Sequence, residues 1–514
     1  MKKIQYLIGV VLVCFFMQSC YKDKGNYDYQ PVGNVLIDTA DNGILSSYAI
    51  YRYDTLRIAP KIYFNGTLVT DEKSVADKLD FTWVIFQATT GGIINTRDTL
   101  SHTIALSEPM IRPSGKWIVH LTVRELATQV ETYIRFPVEL SETTLPDGWM
   151  VLYEKDGRTD VGVIVDDRSK KGVVTAKLFL DLVKGSNGIA LEGKPVGMVH
   201  SIAPLSSGEV LVASEHDFIA ADKNSFEATF QFTDLFWTPP AEKSLQALMG
   251  SYQRKELVVN NNKIHTVNFA SSGLFRTNKL GPAISGSYGT LANWAAPYYG
   301  ASYDAVVYDK TNKKFIYVAA NAITVSDFPA QANTAQFSPS DVGLDMKASD
   351  WGLSSYEYSI MGDNTASYLL VSNFVSTTAN VGLKKISMTG SPEVESASTV
   401  AAAYVGQYVL YGAGANVYLF KYNSGLPAEK AWSAPAGEQV TCVRLQKFYY
   451  PVIQASIIPL PNQVVYIATW NEAEKGGKVY SYTIDPSSGS INKASERVTE
   501  GYGKVKDMSY KWNL

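Results

Sequence analysis

Aromatic side chains are the most abundant raw material for chemistry in this sequence, which holds 32 Tyr and 9 Trp. They gather in "NWAAPYYGASY" (Trp294, Tyr298, Tyr299, Tyr303), "ASDWGLSSYEYS" (Trp351, Tyr356, Tyr358) and "KFYYPV" (Tyr449, Tyr450). These stretches are rich in Gly, Pro and Ser and do not alternate as strands do, so their rings have no assured place in a core. Flat rings there suit recognition, stacking on sugar faces or peptide side chains while the hydroxyl hydrogen-bonds. At any single position the plainer reading is that Tyr favours strands and sheet rims. The expectation is that at least one cluster lines a ligand site or a partner surface, with Trp294, Tyr298, Tyr299, Trp351, Tyr356, Tyr449 and Tyr450 as candidate binding residues.

Other chemistries find less support. The five histidines, His102, His120, His200, His216 and His265, form no His-x-x-x-His or His-Glu-x-x-His pair, and no spare cysteines complete a zinc site. There is no Gly-x-Ser-x-Gly elbow and no Gly-x-x-x-x-Gly-Lys-Ser/Thr phosphate loop. "DTADNG" at Asp38 to Gly43 lacks the alternating oxygen ligands of a calcium loop and reads as a turn. Glycoside hydrolysis needs only two carboxylates about 5 to 9 Å apart. Glu215, Asp217, Asp304, Glu357, Asp363 and Glu472 are candidates near strand ends, but sequence cannot pair them among 49 acidic residues. No catalytic residue, metal ligand or cofactor is therefore assigned, and a non-enzymatic role is expected.

One cysteine carries a different chemistry. Met1-Lys2-Lys3 precedes an apolar run from Ile4 to Met17, followed by Gln18, Ser19 and Cys20. A basic start, a short apolar middle and a small-residue end describe an export signal, and the run is too short for a comfortable bilayer span. Ser19-Cys20 is the pattern at which lipoprotein processing cuts and acylates the thiol, so residues 1–19 read as the signal and Cys20 as the lipidation site. Cys442 is then the single remaining thiol of the mature chain, which leaves no pair for an internal disulfide. The fold has to rest on core burial, for which 514 residues with 46% apolar and 18% charged side chains suffice. A net charge of −3 gives no reason to expect nucleic acid or an anionic membrane surface as partner.

The elements that position these residues read as all-β. Residues 20–33, beginning "CYKDKGNYDYQP", lack apolar periodicity and form a tether. From 34 to 142, "TLRIAPKIYF", "LDFTWVIFQ", "HTIALSE", "GKWIVHLTVRE" and "ETYIRFPVEL" alternate between turn pairs such as Asn65-Gly66, as strands of a sandwich do. Trp83 and Trp117 lie inside apolar strands and are expected in the core. From about 146 to 514, short strands with Gly and Asn punctuation continue without a long helical pattern. Four share a turn of Asp, two residues and Ser or Asn, at Asp166, Asp222, Asp309 and Asp485, where the carboxylate can accept from backbone N–H groups two and three residues on. Read against a unit of about 44 residues, this region predicts a β-propeller of seven or eight blades, and seven once loops are allowed for. "GYGKVKDMSYKWNL" is strand-like and is expected to help close the ring.

The opening "CYKDKGNYDY" resembles the start of the PKD-like lipoproteins of Bacteroidetes. "SGKWIVHLTVRE" is similar to the penultimate strand of PKD domains, with Gly115, Trp117, Val119, Leu121 and Val123 at its characteristic positions. Phe81 and Trp83 match the family's tryptophan strand, although Val84-Ile85-Phe86 replaces the Asp-Phe-Gly-Asp-Gly that usually follows. The resemblance implies a PKD/immunoglobulin-like sandwich followed by a propeller. It also implies a lipid-anchored protein of the outer membrane facing the exterior, with Lys22, Asp23 and Lys24 in the charged stretch that accompanies surface export. The implied partners are a SusC/SusD-like transporter and its lid lipoprotein, and the implied role is an accessory subunit that captures glycan or peptide. A propeller hydrolase or lyase at the same surface, and a purely structural subunit, are the alternatives.

Overall fold

Two patterns of burial separate the chain into its parts. The computed structural model describes residues 33–40, 43–88, 97–201, 208–251, 254–269, 276–297, 300–363, 365–375, 378–447 and 458–512. It divides into one unit of Met1–Ala49, Leu56–Glu108 and Lys116–Glu139 and another of Ile50–Thr55, Pro109–Gly115 and Leu140–Leu514.

The first unit follows the alternation of its sequence. Leu79–Gln87 pairs with Gly115–Glu125 in a five-stranded antiparallel sheet that also holds Tyr48–Tyr51, Glu131–Ser141 and Asp98–Ser101. A three-stranded sheet of Val35–Asp38, Lys61–Phe64 and Thr67–Val69 supplies Ile62 and Val69 to the buried residues. Phe81, Trp83, Ile85, Val119, Leu121 and Val123 point inward, because successive side chains of a strand take opposite faces. Trp83 is fully buried, stacks on Phe136 at 6.1 Å, and its indole N–H donates to the Thr103 carbonyl at 2.9 Å. Trp117, at the start of its strand, is only half-buried, so the expected core tryptophan lies at the margin. His120 is on the outer face, stacked on Tyr133 at 5.1 Å, and burial and then the Arg135 charge lower its pKa.

The second unit is a ring of seven sheets, the predicted β-propeller. Their innermost strands are Lys504–Lys511, Pro195–Ser201, Leu245–Ser251, Leu291–Ala295, Asp345–Trp351, Thr399–Ala402 and Glu438–Leu445, and we number the blades one to seven in that order. All pairs are antiparallel. The third blade shows three strands among the described residues, and the others four or more. The first blade is built from both ends of this unit, Lys504–Lys511 pairing with Gly148–Lys155. This closure removes the open edges that seven successive sheets would otherwise leave.

Seven apolar clusters, one between each pair of neighbouring blades, hold the ring. In Glu209–Ser214, Val210 and Val212 enter the cluster with the first blade, while Leu211 and Ala213 enter the cluster with the third. A strand buried on both faces needs apolar residues at every position, which is why "EVLVAS", "AVVY" and "VVYIA" lose the alternation seen in the first unit. Each buried aliphatic side chain stabilises by roughly 1.5–3 kcal/mol.

The four Asp turns form as expected. Oδ1 of Asp222 accepts from Asn224 N at 2.8 Å and Ser225 N at 3.0 Å, and Asp485 accepts from Ser487 N at 2.9 Å and Ser488 N at 2.7 Å. Asp166 and Asp309 do the same. Their spacing is not a blade count, however. Asp166 and Asp485 follow, and Asp222 ends, the third strand of their blades, whereas Asp309 ends the second strand of the fourth. Innermost strands begin at 195, 245, 291, 345, 399, 438 and 504, so no single interval separates the blades.

Candidate ligand-binding channel

The innermost strands of all seven blades surround a cavity of about 490 Å³. Most of these strands are irregular at one place. The pairing skips a residue at Val196, Gln246, Lys347, Thr441 and Lys506, and three residues between Leu291 and Ala295. A bulge bends its strand and re-aims the extra side chain. Val196, Lys347, Thr441, Lys506 and, in the wider fourth-blade bulge, Asn293 and Trp294 line the cavity. Gln246 does not; its amide oxygen accepts from Asn262 N at 2.6 Å.

Two of the aromatic candidates meet here. Trp294 is half-buried, borders the cavity and packs edge-on to Phe315 at 5.9 Å. Trp351 is buried, also borders the cavity, and carries the Lys447 ammonium 4.8 Å from its ring centre. Tyr356, close to Trp351 in sequence, packs instead against the apolar cluster between the fifth and sixth blades. Cys20, Tyr298, Tyr299, Tyr449 and Tyr450 lie outside the described residues.

Charges on the wall are arranged in pairs. Lys447 Nζ lies 2.5 Å from Asp350 Oδ2 and donates to the carbonyls of Ala402, at 2.7 Å, and Trp351. Asp350 Oδ2 also accepts from Ala402 N at 2.9 Å, so the pair links the fifth, sixth and seventh blades. Burial lowers the Lys447 pKa, and the Asp350 charge opposes that shift. Arg444 donates to Asp507 Oδ1 through Nε at 2.9 Å and Nη2 at 2.8 Å. Burial pulls the guanidinium pKa down, but Asp507, together with Cys442 and Asp350, makes the net shift upward.

Behind Ser349, Glu357 is fully buried and accepts from the Ser349 hydroxyl at 2.6 Å, with Ser359 Oγ 2.7 Å from Ser349 Oγ. Burial, reinforced by the Asp350 charge, pushes its carboxyl up to about 8, while the Ser349 hydrogen bond acts in the other direction. A protonated carboxyl at neutral pH is the form that can act as an acid. On the opposite wall His200 accepts from Trp512 N at 3.2 Å, and burial and the nearby Lys511 and Lys223 hold its pKa well below the usual range.

The other carboxylates considered for hydrolysis are dispersed. Asp304 is buried against Lys255 at 2.8 Å, Asp363 closes a turn through Thr365 N at 2.7 Å, and Glu472 pairs with Lys475 on the surface. Glu215 accepts weakly from Lys194 N at 3.4 Å, and Asp217 pairs with Lys243 at 3.3 Å. None of these five borders the cavity. Among the described residues no group of three His, Cys, Asp or Glu side chains has a metal-binding arrangement.

Sequence reasoning missed Lys347, Arg444, Lys447, Lys506 and Asp507. They carried no local signal: "DMKASDW" and "KVKDMSYK" mix polar and apolar residues as any half-buried strand does, and Lys447 lies past the end of its strand.

The PKD-like family matches residues 20–195, from Cys20 through the first unit and into the second blade's innermost strand. No curated protein matches the sequence. Among solved structures, a quinoprotein alcohol dehydrogenase-like protein from Bacteroides thetaiotaomicron is similar over 93% of this chain and 99% of its own, at 14% identity and a TM-score of 0.42. A DUF4623 family protein from Bacteroides eggerthii is similar over 83% and 73%, at 8% identity and a TM-score of 0.29. The WD40 domain of SCAP from fission yeast is similar over 60% and 74%, at 7% identity and a TM-score of 0.35. The propeller assignment rests on the closed ring of seven sheets itself.

Proposed function

We propose that this chain is a lipoprotein held through Cys20 on the exterior of the outer membrane, where its propeller retains a small ligand as an accessory subunit of a SusC/SusD-like uptake complex. The ligand is an oligosaccharide or a peptide, and it is bound without being converted. The observation that carries the reading is the central channel. Its volume of about 490 Å³ lies inside the range of about 300–1,000 Å³ typical of small-ligand sites. A half-exposed tryptophan stands beside polar side chains on its wall, the pairing of flat and hydrogen-bonding surface that sugars and peptides need. The match to the PKD-like family from Cys20 onward supports the anchor; the transporter partners come from the resemblance to that family. The sandwich serves as spacer and docking module.

Four measurements test this. Labelled fatty acid must appear on Cys20, added protease must reach the protein on intact cells, and a C-terminally tagged chain extracted in detergent must bring the transporter with it. Calorimetry against glycan and peptide panels must show binding without released product. Absence of any ligand with transporter co-purification points to a purely structural subunit.

A second reading, a hydrolase or lyase at the same surface, is favoured by Glu357, raised to about 8 beside Asp350. Products released from the same panels, and lost in Glu357→Gln, would establish it.

A further inference from the structure

We infer that the channel selects ligands that carry carboxylate groups, recognised by a collar of lysines, two of which are placed there by strand bulges. This rests on the channel being the ligand site. The bordering side chains include Lys310, Lys347, Arg444, Lys447 and Lys506 but only two carboxylates, Asp350 and Asp507. Both carboxylates are already occupied, Asp350 by Lys447 at 2.5 Å and Asp507 by Arg444 at 2.8 Å. That leaves Lys310, Lys347 and Lys506, all exposed, as positive charge that the wall does not neutralise.

Nearby acids are committed elsewhere. Asp345, two residues before Lys347, pairs with Lys313 at 3.1 Å. Glu438, at the start of the seventh blade's innermost strand, is buried, lies 3.1 Å from Lys478 and accepts from Thr469 Oγ1 at 2.6 Å.

The bulges make this an arranged feature. In a regular strand successive residues alternate between the two neighbouring blades, as Val210 to Ala213 do, and a lysine there would be driven into an inter-blade apolar cluster. The extra residue at 347 and at 506 takes neither side and reaches the cavity instead. A low-dielectric wall concentrates the field of such charges, and a carboxylate entering it gains charge-assisted hydrogen bonds from the ammonium groups. Trp294, from the bulge of the fourth blade, offers the flat surface against which the body of the same ligand lies.

Calorimetry on the full chain at low and high salt tests this with three probes: a galacturonate trisaccharide, its uncharged methyl ester and triglutamate. At low salt, at least one acidic probe binds about tenfold or more tighter than the ester, and added salt erodes the advantage. Preference for the sugar, for the peptide or for both supports the inference and identifies the source of the carboxylates. Lys347→Gln with Lys506→Gln removes most of the preference, whereas Lys493→Gln, on the outermost strand of the seventh blade, keeps it. Circular dichroism on each variant confirms that it is folded. Equal binding of acid and ester, or a double variant that retains the preference, overturns the inference while leaving the channel as a ligand site. Binding of none of the three probes overturns both.

Discussion

Trp149 and Tyr466 stack nearly parallel, with ring centroids 4.3 Å apart and an interplanar angle of 12°. The first belongs to the first blade and the second to the seventh, so this contact lies across the seam where the ring closes. Tyr466 also donates to Gln446 Oε1 at 2.8 Å. Tyr466→Ala is expected to destabilise the propeller by about 3–5 kcal/mol, the usual cost of removing a buried large aromatic. Tyr466→Phe, which keeps the ring and loses the hydrogen bond, costs about 1 kcal/mol. Denaturant unfolding of the two variants checks this. A loss below 1 kcal/mol for the alanine variant would mean that the seam does not limit stability.

A second prediction concerns the ion pair that spans three blades. Asp350→Ala leaves the buried Lys447 ammonium without its counter-charge, and breaking such a pair from one side costs about 3–5 kcal/mol. Replacing both partners by apolar residues of similar shape, Asp350→Leu with Lys447→Met, recovers most of that loss. Equal destabilisation of the single and double variants in denaturant unfolding would place the pair outside the folded-state balance.

Much of the architecture was legible because burial leaves a period. Trp83 and the Val119, Leu121, Val123 series marked a one-sided sheet, and Asp166, Asp222, Asp309 and Asp485 marked turns through their own carboxylates. The seven blades were anticipated through an interval that does not hold, since Asp309 closes a different turn from the other three. The channel was only partly legible. Trp294 and Trp351 stood out by type and setting, whereas Lys347 and Lys506 reach the cavity through bulges, and one extra residue in a strand leaves no mark in composition. Lys447 and Asp350 lie 97 positions apart, so no local pattern could join them.

The raised carboxyl of Glu357 makes stability depend on pH. Its folded-state value of about 8 lies above the ordinary value of 4.5, so the folded protein holds this proton more tightly than the unfolded chain does. Its contribution is therefore fully present below pH 4.5 and is lost as pH rises through about 8. Glu357→Gln cannot ionise and lacks that slope. The variant should gain stability relative to wild type between pH 5.5 and 8.5, by on the order of a few kcal/mol, as read from unfolding midpoints at the two pH values. Parallel curves would show that Glu357 does not titrate in this window.

The two channel tryptophans should separate recognition from stability. Trp351 is buried beneath the Lys447 ammonium and edge-on to Tyr404 at 5.5 Å. Trp351→Ala therefore opens a void beside a buried charge and is expected to cost about 3–5 kcal/mol of folding stability. Trp294 is half-buried in a bulge, borders the cavity and packs only at the margin of the apolar cluster between the fourth and fifth blades, so its removal costs less stability than that of Trp351. Trp294→Ala should keep the unfolding midpoint within a few degrees of wild type and weaken binding of the galacturonate trisaccharide, its ester or triglutamate by about tenfold, the loss of one stacked ring. Trp294→Phe, which restores a flat face, should recover part of that affinity. If Trp294→Ala binds every probe as the wild type does, the ring is a piece of wall, and recognition in the channel does not use it.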